Sequence, residues 1–163
     1  MRVFLRINLF WILTAFLGDV VVGPLMSIAG IAPDFPLIAL VFLALAAGSY
    51  PATVAGFLIG LIADLTNPAL LGVQALLDSC LGFGLGRLRR RLAYGMPLVE
   101  AMVVALAVLA HDLVYLLVAS GGGGDSFPLR FITRSLPTAI YSGLLSIPVL
   151  RLAVGLGLLY RED

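Results

Sequence analysis

The sequence of 163 residues has little charge and almost none of the residues that build redox or metal sites. Only 12% of its positions are charged, its ten basic residues are all arginine, and it has one cysteine and one histidine. A single cysteine forms no internal disulfide, so Cys80 is interpreted as a small packing residue. A zinc site is not expected from one cysteine and one histidine, and no other cofactor is predicted.

The balance of charge and the lack of catalytic motifs exclude further classes of function. A net charge of +1 is too small to favour binding of nucleic acid, so no such partner is expected. His111 is the only candidate base, and its neighbour Asp112 points about 100° away from it on a helix. Nothing in the sequence resembles a phosphate-binding loop or a membrane protease. We therefore expect a protein that is not an enzyme.

What the sequence does contain is apolar residues in long stretches. Hydrophobic residues make up 61% of the chain, and the mean hydropathy is +1.12. A soluble domain of this length needs far more polar surface to cover its core. The composition therefore predicts an all-α integral membrane protein, with residues 1–163 forming a single compact transmembrane bundle.

Turns that contain proline and glycine divide this sequence into six predicted transmembrane helices. The segments are residues 7–29, 35–47, 51–65, 70–86, 97–120 and 131–150. The first is interpreted as a retained helix rather than a cleaved signal peptide, and Pro24 is expected to bend it. The second and third are shorter than the roughly 20 residues that span a bilayer. They either cross a thinned membrane at a tilt or form a re-entrant pair, which leaves four spans.

The arginines predict the orientation of the bundle. With six spans, eight of the ten arginines fall on the side that holds both termini, and only Arg130 and Arg134 fall on the other side. Basic residues concentrate on the cytoplasmic side of membrane proteins, so both termini are predicted to be cytoplasmic. The four-span alternative keeps the same bias, and therefore the same orientation.

Small residues recur at a spacing of four in the third and fourth segments. Gly56 and Gly60 share one helix face, and Gly82 and Gly86 share another. Such faces allow the backbones of membrane helices to approach closely. The four glycines are therefore predicted to pack helices within the protein, and the alternative is a docking face for another subunit.

Polar side chains inside apolar segments are costly to insert in a membrane and are candidate functional residues. The predicted buried polar residues are Asp19, Asp64, Gln74, Asp78 and Asp112. Asp64 is expected to brace the turn that follows it, or to contact Gln74 across the hairpin. Asp78 is expected to form an internal hydrogen bond, and the alternatives are a proton or ligand role and contact with a partner helix. Asp112 is expected to form an ion pair with Arg134.

The densest charge in the sequence follows the fourth segment. It consists of Arg87, Arg89, Arg90 and Arg91. These arginines are predicted to anchor the protein to anionic lipid at the cytoplasmic surface of the membrane, and the alternative is binding of a cytoplasmic partner.

The order of these motifs resembles a known family. The similarity rests on Pro33-Asp34-Phe35-Pro36 before an apolar segment, the stretch from Gly56 to Asp64, Leu71-Gly72, Ala75-Leu76, and a glycine-rich helix that ends in Arg87–Arg91. This pattern is similar to that of the rod shape-determining protein MreD family. The resemblance implies a non-enzymatic scaffold of the bacterial cell-elongation complex, located in the inner membrane and required for cell shape.

The resemblance also implies a set of partners and a second hypothesis. The implied partners are membrane lipid, an MreC-like single-span protein, the MreB filament, and the SEDS glycosyltransferase with its penicillin-binding transpeptidase, which build peptidoglycan. The implied fold is similar to the six-helix substrate-binding subunits of vitamin transporters. The alternative function is therefore a small-molecule-binding membrane subunit of such a transporter. The aromatic residues form no obvious cluster for a pocket, and this favours the scaffold.

Overall fold

Six helices account for most of the chain in the computed structural model, which describes residues 15–27, 30–89, 96–121 and 127–155. In chain order they are α1 (Ala15–Leu25), α2 (Phe35–Ala47), α3 (Ser49–Asp64), α4 (Val73–Leu88), α5 (Pro97–Ala119) and α6, which begins at Phe127 and ends at Gly155. No strand occurs within these ranges. The predicted all-α bundle is therefore confirmed for the part of the chain that the structure describes.

Helix α2 lies at the centre of the bundle. Its N-cap is Asp34, whose carboxylate accepts a hydrogen bond from the Leu37 N–H at 2.9 Å, and Pro36 occupies its first turn. Every side chain from Leu37 to Leu45 is buried, and the helix contacts each of the other five. A helix that is apolar on all sides is stable only inside a structure, so α2 forms the core.

Helices α3 and α4 form an antiparallel hairpin beside α2. Gly48 alone separates α2 from α3, and its φ of 92° lies in the region that favours glycine. The connection between α3 and α4 contains one turn of 3₁₀ helix, Pro68–Leu70, and ends at Gly72, whose φ is 96°. Among the described helices, α3 and α4 make the most extensive contact with each other.

Helices α1 and α6 each contain one wider turn. It is a π turn at Gly18–Val22 in α1 and at Phe131–Ser135 in α6. The first π turn ends two residues before Pro24, the residue at which a bend was predicted. The Tyr141 hydroxyl donates a hydrogen bond to the Met26 carbonyl at 2.8 Å, and this bond holds the chain after α1 against α6.

The helix boundaries differ from the predicted ones for reasons of local chemistry. Helix α3 begins two residues before the predicted segment 51–65, because a proline such as Pro51 is accepted in the first turn of a helix. Helix α4 begins three residues later than predicted for 70–86, because Pro68–Leu70 forms a separate 3₁₀ turn. Helix α6 is longer than 131–150 at both ends.

Among the described residues, one helix is long and apolar enough to cross a membrane by length and composition, namely Pro97–Ala119. Three shorter apolar helices are Ala15–Leu25, Phe35–Ala47 and Ser49–Asp64. Residues 7–14, the beginning of the predicted first segment, lie outside the described residues. The structure thus gives the helices of the bundle, while the number of membrane crossings stays a prediction.

Candidate functional site

The first two predicted glycines bring the backbones of α3 and α4 together. A Cβ atom on Gly56 would overlap the backbone carbonyl of Asp78. A Cβ atom on Gly60 would overlap the backbone of Gln74 and Ala75. Both glycines are buried, so any larger side chain at these positions forces the two helices apart.

The other two glycines form the same contact from the opposite helix. Gly82 lies against the carbonyl of Ala52, and Gly86 lies against the backbone of Ser49. The helix face that carries Gly56 and Gly60 and the helix face that carries Gly82 and Gly86 therefore pack against each other inside the hairpin. Because α3 and α4 cover each other there, this arrangement favours packing within the protein over a docking face for another subunit.

Asp64, the last residue of α3, connects the two arms of the hairpin. Its buried carboxylate accepts hydrogen bonds from the N–H groups of Gly72 at 2.8 Å, Gln74 at 3.1 Å and Ala75 at 3.1 Å. The first N–H groups of a helix have no partner within that helix, so this carboxylate caps α4. These three hydrogen bonds brace the connection between α3 and α4. The contact of Asp64 with Gln74 is to the backbone N–H rather than to the side-chain amide.

A second polar cluster lies between α4 and α5 and is centred on the single histidine. His111 Nε2 lies 3.4 Å from Asp78 Oδ1, and His111 Nδ1 lies 3.4 Å from Asp112 Oδ1. Asp78 is 3% exposed and His111 is 7% exposed. Within the described residues, neither Asp78 Oδ1 nor His111 Nε2 has a hydrogen-bond partner. Two buried ionisable groups therefore face each other across the contact between α4 and α5.

Further polar groups surround the imidazole. The Tyr115 ring stacks on it, with the ring centroids 6.0 Å apart and 6° between the ring planes. The Tyr115 hydroxyl accepts a hydrogen bond from Asn67 Nδ2 at 3.5 Å. The Asp34 carboxylate interacts electrostatically with both Asp78 and His111. The cluster therefore joins the start of α2 and the α3–α4 connection to α4 and α5.

Two of the predicted buried acids occupy other surroundings than expected. Asp112 is half-buried and contacts His111, so the predicted ion pair with Arg134 is wrong. Asp19 is exposed on the surface of α1 and so does not lie inside the bundle. The reason is that Gly18 packs against Phe35, and this turns the following side chain away from the core.

The predicted arginine anchor divides into residues with different environments. Arg89 Nη1 donates a hydrogen bond to the Ala46 carbonyl at 3.0 Å and so satisfies a backbone acceptor near the end of α2. Arg87 is exposed, and Arg90 and Arg91 lie outside the described residues. A groove of about 610 Å³ opens at this end of the bundle, lined by residues 47–51, Gly86, Arg87 and Arg89. Arg89 therefore holds the fold together, whereas Arg87 points to its surroundings.

Several polar residues were missed or misjudged from the sequence. The pairing of Asp78 with His111 was not predicted, although each stands in an apolar stretch, which was the available signal. Glu100 is buried in the first turn of α5. It was not predicted as a buried residue because acidic residues are common in the first turn of a helix, where they interact favourably with the helix dipole. Cys80 is exposed rather than packed inside. No group of three or more His, Cys, Asp or Glu side chains in the described ranges could hold a metal ion.

Comparison with known proteins gives one match. The family model described as rod shape-determining protein MreD matches residues 1–159. No curated protein and no solved structure matches the chain. The family resemblance inferred from the sequence motifs is confirmed by the first result. The predicted likeness to transporter subunits has no support from these comparisons.

Proposed function

Because the chain belongs to the family of the rod shape-determining protein MreD, we propose that it is a multi-pass scaffold of the bacterial cell-elongation complex in the inner membrane. Membership of this family supports a role in the determination of rod shape, and the family is one of membrane-associated structural proteins rather than of known enzymes. The match over residues 1–159 is the observation that carries the proposal.

The surface of the bundle supports its placement in a membrane. Helix α5 has 23 residues, and its most apolar 18-residue stretch has a mean hydropathy of 2.3 with only 28% of it buried. At 1.5 Å per residue it is long enough for the roughly 30 Å of hydrocarbon in a bilayer. Its side chains Leu98, Met102 and Leu106 point outward, as do Ile140 and Leu144 of α6. Lipid is the environment in which such a surface is stable.

The short helix α2 is compatible with this placement because protein surrounds it. Its 13 residues cover about 20 Å at 1.5 Å per residue, less than the hydrocarbon thickness. Backbone at membrane depth is tolerated when it is enclosed by other helices, as α2 is. We propose six crossings with both termini in the cytoplasm, with Arg87, Arg90 and Arg91 next to anionic lipid.

The proposed partners are an MreC-like single-span protein, the MreB filament, and the SEDS glycosyltransferase with its penicillin-binding transpeptidase. In this proposal the chain links filament and synthases without chemistry of its own. The α3–α4 hairpin supports it by its construction, since four glycines and a buried carboxylate give a rigid element suited to holding other subunits in place.

The role in cell shape is tested by replacing the chromosomal family member of a rod-shaped bacterium with this chain. We expect the wild-type chain and the Gly84→Leu variant to restore rods, because nothing lies within 4 Å of a Cβ at Gly84. The Gly56→Leu variant should give round cells, because its side chain forces α3 and α4 apart. Rods in cells that lack any functional copy contradict the proposal.

The partner assignment is tested by co-purification of the same chains from these cells. The single-span partner should copurify with the wild-type chain and with Gly84→Leu, and less of it with Gly56→Leu at equal amounts of membrane-inserted protein. Equal recovery with all three chains would remove the scaffold part of the proposal and leave the role in cell shape intact.

A further inference from the structure

The surroundings of His111 favour its charged form. Both ring nitrogens face carboxylate oxygens at 3.4 Å, Nε2 towards Asp78 and Nδ1 towards Asp112. An ionised carboxylate only accepts hydrogen bonds, and a neutral imidazole carries a proton on one nitrogen only. If both carboxylates are ionised, a neutral ring turns a lone pair towards one of them. The doubly protonated ring presents an N–H to each.

The pair lies at the contact between the α3–α4 hairpin and α5. The backbone of Asp78 packs on Gly56 inside the hairpin, while its carboxylate faces His111 on α5. Helices α4 and α5 contact each other far less extensively than α3 and α4 do. The charge pair lies within this smaller contact. Since it is buried, losing one partner is costly.

We propose that Asp78 and His111 form a proton-dependent lock between the α3–α4 hairpin and α5. In the locked state His111 carries a proton on each ring nitrogen and faces the ionised carboxylate of Asp78. Release of the Nε2 proton to solvent leaves that carboxylate buried without a counter-charge, and the contact between α4 and α5 opens.

Within the described residues, the charged groups that interact electrostatically with this pair are all acidic. They are Asp112 on α5, Asp34 before α2 and Asp64 at the end of α3. Within the described residues, the ion pairs of Asp78 and Asp112 are both with His111. The lock is therefore present when His111 is protonated, and it is lost as the pH rises. In the proposed topology the cluster lies in the outer half of the membrane, whereas the lock itself does not depend on the proposed function.

The charge on His111 is measured directly by NMR, because the chain contains one histidine. The full chain is labelled with ¹⁵N-histidine, purified with a tag that lacks histidine, and titrated in detergent micelles. We expect both ring nitrogens of the wild-type chain to be protonated at about pH 7, where an ordinary histidine is mostly neutral. In Asp78→Asn the ring should be neutral at the same pH. A neutral ring in the wild-type chain, or the same titration in both chains, overturns the proposal.

The consequence for stability is measured by thermal unfolding of the full chain between about pH 6 and about pH 9, which brackets the histidine range. The melting temperature of the wild-type chain should fall as the pH rises, and that of the exposed control Asp19→Asn should follow the same profile. His111→Gln should melt about 6–15 °C lower at the acidic end, with no such dependence on pH.

A double variant distinguishes a charge pair between Asp78 and His111 from a histidine that only fills space. Asp78→Asn with His111→Gln should melt at a higher temperature than His111→Gln alone, because no charge stays buried without a partner. Additive losses, or a wild-type melting temperature that does not change with pH, contradict the lock. If the single variants do not fold, the titration of the wild-type imidazole still decides the question.

Discussion

The two contacts that α4 makes, with α3 on one side and with α5 on the other, rest on different interactions. Towards α3, each glycine of one helix lies on the backbone of the other, as Gly82 does on Ala52 and Gly56 on Asp78. Towards α5, the Asp78 carboxylate faces the imidazole of His111. The first contact consists of van der Waals packing, and the second depends on ionisable side chains.

This difference means that the two contacts respond to different conditions. Packing between backbones does not change with proton concentration or with salt, and in a membrane it is a main source of helix association. A buried charge pair is stable only while both charges are present. We expect the hairpin to behave as one rigid unit and the contact between α4 and α5 to be the part of the bundle that yields first.

The largest expected loss of stability comes from disrupting the contact between α3 and α4. Gly60→Leu places a side chain on the backbone of Gln74 and Ala75, so the free energy of unfolding should fall by about 4 kcal/mol or more. The cost should be the same at every pH tested. The matched control, Gly84→Leu on α4, should not lower the free energy of unfolding and should raise it by up to about 1 kcal/mol, because leucine favours the helix more than glycine does. Thermal unfolding in detergent measures both, and equal losses would mean that the glycines are not packed as described.

A smaller loss of stability is expected at the connection between α3 and α4, which closes one end of the hairpin. Asp64→Ala removes the acceptor of three N–H groups, and at about 1 kcal/mol for each hydrogen bond the loss should be about 3 kcal/mol. Asp64→Asn keeps one acceptor oxygen and should lose less. Thr66→Ser, at an exposed position of the same connection, keeps the hydroxyl that donates to the Ala63 carbonyl and serves as the control. Amide exchange at Gly72, Gln74 and Ala75 checks the mechanism. Protection that survives Asp64→Ala would show that other groups cap α4.

The smallest effect concerns the open end of the hairpin, where α4 meets the end of α2. Arg89→Gln removes the hydrogen bond to the Ala46 carbonyl and should cost about 1 kcal/mol. Arg87→Gln, two residues earlier and exposed, should leave the free energy of unfolding unchanged. Chemical unfolding of the two variants in parallel gives this difference. The same result for both would mean that the Arg89 bond contributes nothing to the fold.

The spacing of small residues predicted the helix faces of the hairpin but not their partner. Residues four apart share a face by the geometry of the helix, so Gly56 and Gly60 fall together whatever the fold. What covers that face depends on the path of the chain after α3, where Gly72 with φ of 96° returns α4 onto it. The sequence therefore allowed both internal packing and a docking surface, and the fold selected internal packing.

For the polar residues too, the sequence identified candidates but not their partners. An aspartate in an apolar stretch is identifiable as a candidate from the cost of its burial. Its partner is not, because the choice between Arg134 and His111 for Asp112 depends on the rotation of α5 and on side-chain rotamers. Asp19 shows the converse, since an apolar sequence around an acid does not determine which side of the helix faces the core.

By itself, the sequence determined the helical class, most helix positions and the family of this protein. These follow from composition, from proline and glycine in the turns, and from the order of motifs along the chain, all of which are local properties. Only the tertiary structure decided that the glycine stripes face each other, that Asp64 caps α4 and that His111 lies between two carboxylates. Each of these depends on how the chain turns and how the helices pack, because Asp64 meets α4 across the turn of the hairpin and Asp78 meets His111 across the contact between α4 and α5.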